Sequence, residues 1–212
     1  MWGTVTADWA KHWRRGYGDL VWKTWAMRLR RAYTYLLRAV TTSNPSILEL
    51  GAGSGRNSLM IAEILQARQI TLVDSNEEAM AICRETFRNT PFAVNYLTSD
   101  VRNLDLRATF DVVHSEGLIE HFYEADRERV FQRHVEFCDA NGFIIILVPY
   151  KSLQYDAFKL AYRWMNRWIY GDEQIFTRDE LYTLCRRFNM TVLREYTSPL
   201  IHEIGIVARR SA

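Results

Sequence analysis

The chain of 212 residues is poor in cysteine: Cys83, Cys138 and Cys185 are widely spaced and odd in number. No Cys-x-x-Cys pair occurs. A disulfide framework or a thiolate zinc site needs more sulfur, set closer together. Each cysteine falls in a helix-like stretch among apolar residues, which predicts reduced, packed thiols in a cytoplasmic protein. Long apolar runs are missing too. None approaches the roughly 20 residues needed to cross a bilayer, and the N-terminus lacks the apolar core of a signal peptide. Nor does one sign of charge dominate. The 27 Lys and Arg against 25 Asp and Glu leave a net +2, which makes no strong case for nucleic acid or an acidic partner. Internal repeats, low-complexity tracts and long linkers are absent. The length suits one domain with an appendage and is enough to bury a real core.

What the chain does have centres on Ile47-Leu48-Glu49-Leu50-Gly51-Ala52-Gly53-Ser54-Gly55-Arg56-Asn57. After Pro45 a short apolar run reads as a buried strand, and three glycines alternating with small residues read as a turn into a helix. Glycine permits φ > 0 and lets a ligand approach the main chain with no Cβ in the way. The following helix would aim its N–H groups and positive dipole end at that ligand. The spacing is G-x-G-x-G, with Arg56 where a dinucleotide fingerprint has its last glycine, and a Walker loop's Gly-Lys-Ser/Thr is lacking. The plainer alternative is a tight turn that binds nothing.

Before this stretch, residues 1–43 carry Trp2, Trp9, Trp13, Tyr17, Trp22 and Trp25 among many arginines. Three- and four-residue spacing of Trp22, Trp25, Leu29, Ala32, Tyr33, Leu36, Leu37 and Val40 predicts a helix over Val21–Val40 packed on the sheet domain. Its outward arginines are a solvated face or, in a sharper reading, an anion or RNA surface. The piece before Gly16–Asp19 is either packing or a lid that brings Trp13 or Tyr17 over a ligand.

After the turn, Leu59, Met60, Ala62, Ile64 and Leu65 form the buried side of a helix to about Arg68. Ile70–Asp74 is a buried strand ending in an acid, 23 positions after Gly51. A carboxylate there is placed to accept both hydroxyls of a ribose; capping the next helix is the alternative. Ser75-Asn76-Glu77-Glu78 fits a capping box. Phe92–Leu97 and Phe110–His114 read as the third and fourth strands, with Asp100 in the turn after the third. A helix over Glu124–Asp139 leads through Asn141-Gly142 into Phe143–Pro149, a strand buried on both faces. Lys151–Ile175 is an aromatic, helix-like insertion: core packing, a lid, or a surface for a partner or membrane. Thr177-Arg178-Asp179-Glu180 is a second capping box, opening a helix to about Phe188. Met190–Tyr196 and Ile204–Arg209 alternate with period two and are joined through Ser198-Pro199, predicting a terminal antiparallel hairpin.

Alternating strands and helices predict an α/β, doubly wound, mostly parallel seven-stranded sheet with helices on both faces. It carries a helical extension at 1–43 and the insertion at 151–175 within a domain of 44–212. Ligands of such sheets bind beyond the carboxyl ends of the strands. The Gly51–Gly55 turn, Asp74, Asp100 and Ser115–Gly117 all lie at such ends.

The E-x-G-x-G-x-G pattern and the series FDVVHSEGLIEHF resemble the first and fourth motifs of the class I S-adenosylmethionine-dependent methyltransferases, and the closing hairpin resembles their sheet. The resemblance covers roughly Ser46–Arg210. It implies S-adenosylmethionine as cofactor, with S-adenosylhomocysteine as product. It implies cofactor contacts at Glu49, Gly51, Ala52, Gly53 and Gly55, at Asp74 and Ser75, at Asp100 and Val101 beside the adenine, and at Ser115, Glu116 and Gly117 beside the methionine part. No metal is implied: Glu120-His121 and His202-Glu203 offer too few ligands. His121 is the first candidate for a general base, since histidine titrates near neutrality. Glu120, His114, Glu116 and Tyr150 follow, and a purely structural role for Glu120-His121 is the alternative. The Asn/Asp-Pro-Pro-Tyr/Phe set of adenine and amide enzymes and the Pro-Cys of cytosine-C5 enzymes are both missing. The expected acceptor is therefore an O or N nucleophile of a small molecule. RNA or protein methylation and a non-catalytic cofactor-binding subunit are the alternatives.

Overall fold

A computed structural model describes residues 20–165, 168, 173–198 and 203–210. The proposed lid residues Trp13 and Tyr17, and His202, lie outside these residues.

The elements follow in order: α1 (Leu20–Leu36) with a short 3-10 turn (Leu37–Ala39), β1 (Ser46–Leu50), α2 (Arg56–Leu65), β2 (Gln69–Asp74), α3 (Glu77–Phe87), β3 (Val94–Thr98), β4 (Phe110–Glu116), α4 (Glu124–Phe137), β5 (Cys138–Pro149), α5 (Leu153–Trp164), α6 (Arg178–Arg187), β6 (Met190–Ser198) and β7 (Glu203–Arg210). The seven strands form one sheet in the order β3-β2-β1-β4-β5-β7-β6. β1 to β5 run parallel, and β7 is inserted antiparallel between β5 and β6. The chain reverses its winding between β1 and β4, so the switch point lies at their carboxyl ends.

Period-two alternation divides the central strands between two cores. Leu48, Leu50, Val113, Ile144 and Ile146 join Phe131 and Val135 of α4 and Leu181 of α6. Ile47, Ile70, Val112, Phe143 and Ile145 join Leu29, Tyr33 and Leu36 of α1, Ile61 of α2 and Met80 of α3. Each fully buried aliphatic or aromatic side chain contributes about 1.5–3 kcal/mol against leaving it in water. The same parity puts Glu49, His114 and Glu116 on the α1–α2 side, a polar column in an otherwise apolar layer. The arginines of α1 lie as expected, with Arg30 and Arg31 exposed.

Local signals decided several boundaries. Thr177 forms the expected capping box: its hydroxyl accepts from the Glu180 N–H and the Glu180 side chain accepts from the Thr177 N–H. The cap of α3 is Asn76 rather than Ser75, because the Asn76 side chain accepts from the N–H groups of Glu78 and Ala79. The turn expected at Asn141-Gly142 is instead an interruption within β5, whose pairing with β4 jumps from Phe110↔Cys138 to Val112↔Phe143. Gly142 is packed so tightly there that a Cβ would meet the carbonyl oxygens of Phe110 and Asp111 at 2.9 Å. On the edge strand β6, pairing with β7 shifts between Val192 and Arg194, which leaves Leu193 exposed.

Within the described part of the aromatic insertion, α5 does not pack as core. Tyr155 is the one buried residue of α5, whereas Leu153, Leu160 and Trp164 are 85%, 70% and 87% exposed. All three cysteines are buried and free. Among the described residues no helix is long and apolar enough to cross a membrane.

Candidate active site

The glycine turn is built as its spacing required. Gly51, Gly53 and Gly55 have φ of 71°, 53° and 69°, the left-handed region where a side chain is strained. At Gly51 a Cβ would also strike Leu118 at 2.7 Å. The end of β2 ties the turn down at two points. The Ala52 N–H donates to the Val73 carbonyl at 2.9 Å, and the Gly53 N–H donates to Asp74 Oδ2 at 2.8 Å. Gly55 caps α2 with no side-chain acceptor, so the helix presents its first-turn N–H groups uncapped at the turn.

Asp74 is half-buried and receives a second main-chain donor, the Asn76 N–H, at 2.9 Å on Oδ1. Burial raises its pKa, and hydrogen bonds from Gly53, Asn76 and Ser75 work against that rise. Each oxygen keeps a lone pair for a further donor. Ser75 is exposed beside it. Asp100 is occupied differently. Its carboxylate takes the Arg102 guanidinium at 2.6–3.1 Å on both oxygens, and the Arg102 N–H at 2.8 Å. That hydrogen bonding holds its pKa down against partial burial. The Val101 side chain beside it is buried.

Ser115 lies on the strand face away from the turn. Its hydroxyl meets His134 Nε2 of α4 at 2.8 Å, so only its main chain faces the site. Glu116 faces the site and accepts from Asn57 Nδ2 at 3.3 Å. Gly117, at φ 68°, ends β4.

His114, considered as a base, is fully buried beneath the turn. Its Nε2 is 2.8 Å from Ser58 Oγ and its Nδ1 is 3.8 Å from Glu49 Oε1. Burial, then the nearby His134, pushes it down to about 3, which keeps it neutral. Glu49 is 2% exposed. Burial raises its pKa well above the usual range, and hydrogen bonds from Ser58 offset only part of that.

Beyond β4 the carboxylates accumulate. Glu116 and Glu203 are both raised by burial and share a hydrogen bond. That bond lowers Glu116 and raises Glu203. Glu120 is raised well above normal by burial and then by Glu173. His121 is pushed down to about 4 by burial, and its Nε2 lies 4.0 Å from Glu120 Oε1. Ligating atoms of Glu120, His121 and Glu173 all fall within 4.8 Å of one another. The sequence reading found too few metal ligands because the third member sits 52 positions away in the insertion. Gln174 anchors that segment by donating from its N–H to the Glu120 carbonyl at 2.8 Å.

Buried polar atoms normally find partners. Among the described residues, the buried side-chain polar atoms without one are Tyr33 Oη, Glu49 Oε2, His114 Nδ1, Glu120 Oε2 and Glu203 Oε2. Glu49 and His114 are strand residues near the carboxyl ends of β1 and β4, Glu203 opens β7 opposite Pro149 at the carboxyl end of β5, and Glu120 is in the turn after β4. Tyr33 comes from α1, and its pKa is raised by burial and then by Glu116, Glu49 and Glu203. Sequence reasoning placed Tyr33 in the core and did not single out Asn57, Arg102 or Glu173. A helix-spaced tyrosine and a loop glutamate carry no local signal for this role. A surface groove lined by Leu104–Thr109 and Phe137 opens at the opposite, amino end of β4, where doubly wound sheets do not bind ligands.

Residues 47–142 match the family described as a methyltransferase domain. No curated protein matches in sequence. Similar solved structures include the magnesium protoporphyrin IX methyltransferase of Synechocystis PCC 6803 with bound S-adenosylhomocysteine, at a TM-score of 0.75 and 14% identity over 95% of this chain and 94% of that one. The 1,6-didemethyltoxoflavin-N1-methyltransferase of Burkholderia thailandensis gives 0.74 and 20% over 97% and 86%. The N-methyltransferase NodS of Bradyrhizobium japonicum WM9, with S-adenosylhomocysteine, gives 0.68 and 12% over 97% and 100%. Identities this low speak for the fold alone, and it is the fold reached above by strand order. The match over 47–142 and the fold that encloses it support a class I S-adenosylmethionine-dependent methyltransferase.

Proposed function

We propose that the protein binds S-adenosylmethionine over the Gly51–Gly55 turn and transfers its methyl group to an O or N nucleophile of a small molecule. The observation that carries this reading is the convergence of five unpartnered buried polar atoms on the carboxyl ends of the strands, next to an uncapped helix N-terminus. The residues present fit such a cofactor. Three positive-φ glycines leave the main chain open to close approach, and Asp74 has acceptor capacity left for ribose hydroxyls. Glu49, Ala52 and the glycines would hold the methionine side of the turn, with Ser115, Glu116 and Gly117 opposite. Asp74 and Ser75 would hold the ribose, and Asp100 with Val101 would border the adenine. Arg102 already takes both Asp100 oxygens, so that contact falls to lone pairs the guanidinium leaves over.

When bound, the cofactor supplies a methyl group activated by positive sulfur. The protein's task is then to align the acceptor and exclude water. His121, neutral and next to Glu120, would serve as the base where the acceptor must lose a proton. The extension at 1–43 would act with the domain at 44–212, because Tyr33 reaches the same carboxylates. A small-molecule acceptor is supported by the similar structures named for a porphyrin and for 1,6-didemethyltoxoflavin. The test is calorimetric titration with S-adenosylmethionine, S-adenosylhomocysteine and, as control, NAD. Micromolar binding of the first two and none of NAD is expected. Silence from both adenosyl ligands in folded protein would overturn the reading.

A further inference from the structure

Glu120, Glu173 and His121 have a geometry that selects among cations. Glu120 is 1% exposed and its Oε2 has no partner among the described residues. Glu173 accepts from the Tyr155 hydroxyl. Two described cations lie near, Arg127 acting on Glu120 and Lys159 on Glu173 across space, and each also has contacts of its own. Arg127 donates to the carbonyls of Phe122 and Gln174 at 3.3 and 3.1 Å and stacks on Phe176. The Lys159 ammonium lies 5.0 Å from the Trp168 ring centre. Glu116 and Glu203 extend the same group of carboxyl side chains inward.

A buried carboxylate oxygen without a partner, as Glu120 Oε2 is among the described residues, calls for a positive ligand or for a proton. Spacing decides which cation fits. A tetrahedral zinc site, with bonds of about 2.0–2.2 Å, holds its donors roughly 3.3–3.6 Å apart. An ammonium bonded at about 2.8 Å holds its acceptors roughly 4.6 Å apart. The His121–Glu120 separation of 4.0 Å and the 4.8 Å outer limit of the group bracket the ammonium value. A zinc ion would require the His121–Glu120 pair to close from 4.0 Å. The cluster also lies on the β4–β5–β7 side of the switch point, away from Asp74 on β2, the acid proposed above for the ribose.

We propose that Glu120, Glu173 and His121 form a binding site for the ammonium group of an amine, and that the methyl acceptor is a primary or secondary amine. This rests on the methyl-transfer reading above. The bound nitrogen must lose one proton before its lone pair can act: one N–H bond breaks, and the proton passes to a carboxylate oxygen of the cluster.

The test compares benzylamine hydrochloride with its neutral isostere benzyl alcohol, by calorimetry on the full chain with and without S-adenosylhomocysteine. Benzylamine should bind at least tenfold more tightly. Glu120→Gln and, at the more accessible rim, Glu173→Gln should each remove at least that preference, leaving S-adenosylhomocysteine affinity within twofold. Equal binding of the two probes, or a preference that survives both substitutions, overturns the amine site. So does micromolar binding of zinc chloride alone that is lost in Glu120→Gln. Amine preference without adenosyl binding keeps the cation site and sinks the methyl-transfer reading, so the two failures are separable.

Discussion

Asp74 and Glu203 sit at the same edge of one sheet, on opposite sides of the β1–β4 switch point, and their surroundings differ. Asp74 is half-buried and receives two main-chain N–H groups. Glu203 is buried, leans on a second carboxylate, and has one oxygen with no partner. Around Asp74 the main chain is already arranged for a ligand. Around Glu203 the protein has gathered carboxyl groups whose burial favours their protonated forms. The first arrangement suits a constant ligand held the same way every time. The second costs stability and is explained by a cationic guest that offsets it.

The largest effect should come from damaging the prearranged side. Gly53→Leu puts a side chain where φ is 53° and should abolish S-adenosylhomocysteine binding while circular dichroism stays native. Tight binding by the folded variant would contradict the turn. Asp74→Ala removes the acceptor for Gly53 and for the ribose hydroxyls. It should weaken binding by about 1–3 kcal/mol, and unchanged affinity would take Asp74 out of the site.

On the other side the effect is on stability and depends on pH. Burial raises the Glu203 pKa in the fold, so its contribution to stability is full below the unfolded value and is lost as pH rises through the folded one. Glu203→Gln removes that loss. Its melting temperature should exceed the parent's at pH 8, and the gap should close towards pH 5. A melting point lowered equally at both pH values would mean that Glu203 is an ordinary structural residue. The smallest effect, a calibration remote from both sides, is Thr177→Ala. Loss of the capping box should cost about 1 kcal/mol in urea denaturation without changing cofactor affinity.

The two sides also differ in how far the sequence revealed them. The turn, Asp74 and Ser115–Gly117 could be read because their signals are local: glycine spacing, an acid closing an apolar run, a strand flowing into a turn. The strand order followed from the alternation of elements, and the hairpin from its period of two. Glu120, Glu173, Glu203 and Tyr33 meet only after the chain has crossed the sheet repeatedly, and no short window records that meeting. The Thr177 box was legible because both partners lie within four residues. Asn76 displaced Ser75 as cap because either side chain could reach the first turn, and sequence alone does not rank them.

The shifted register between Val192 and Arg194 bears on how the molecules behave towards one another. β6 is the outer strand of its side of the sheet, and an outer strand is a template on which a second copy can pair. A ladder that changes phase partway along offers an incoming strand two short registers instead of one long one. The displaced step is followed by Arg194, stacked over Tyr35, and by Glu195, paired with Arg178. An edge of nine residues is thereby divided into pieces too short and too charged to seed stacking, which favours solubility at high concentration.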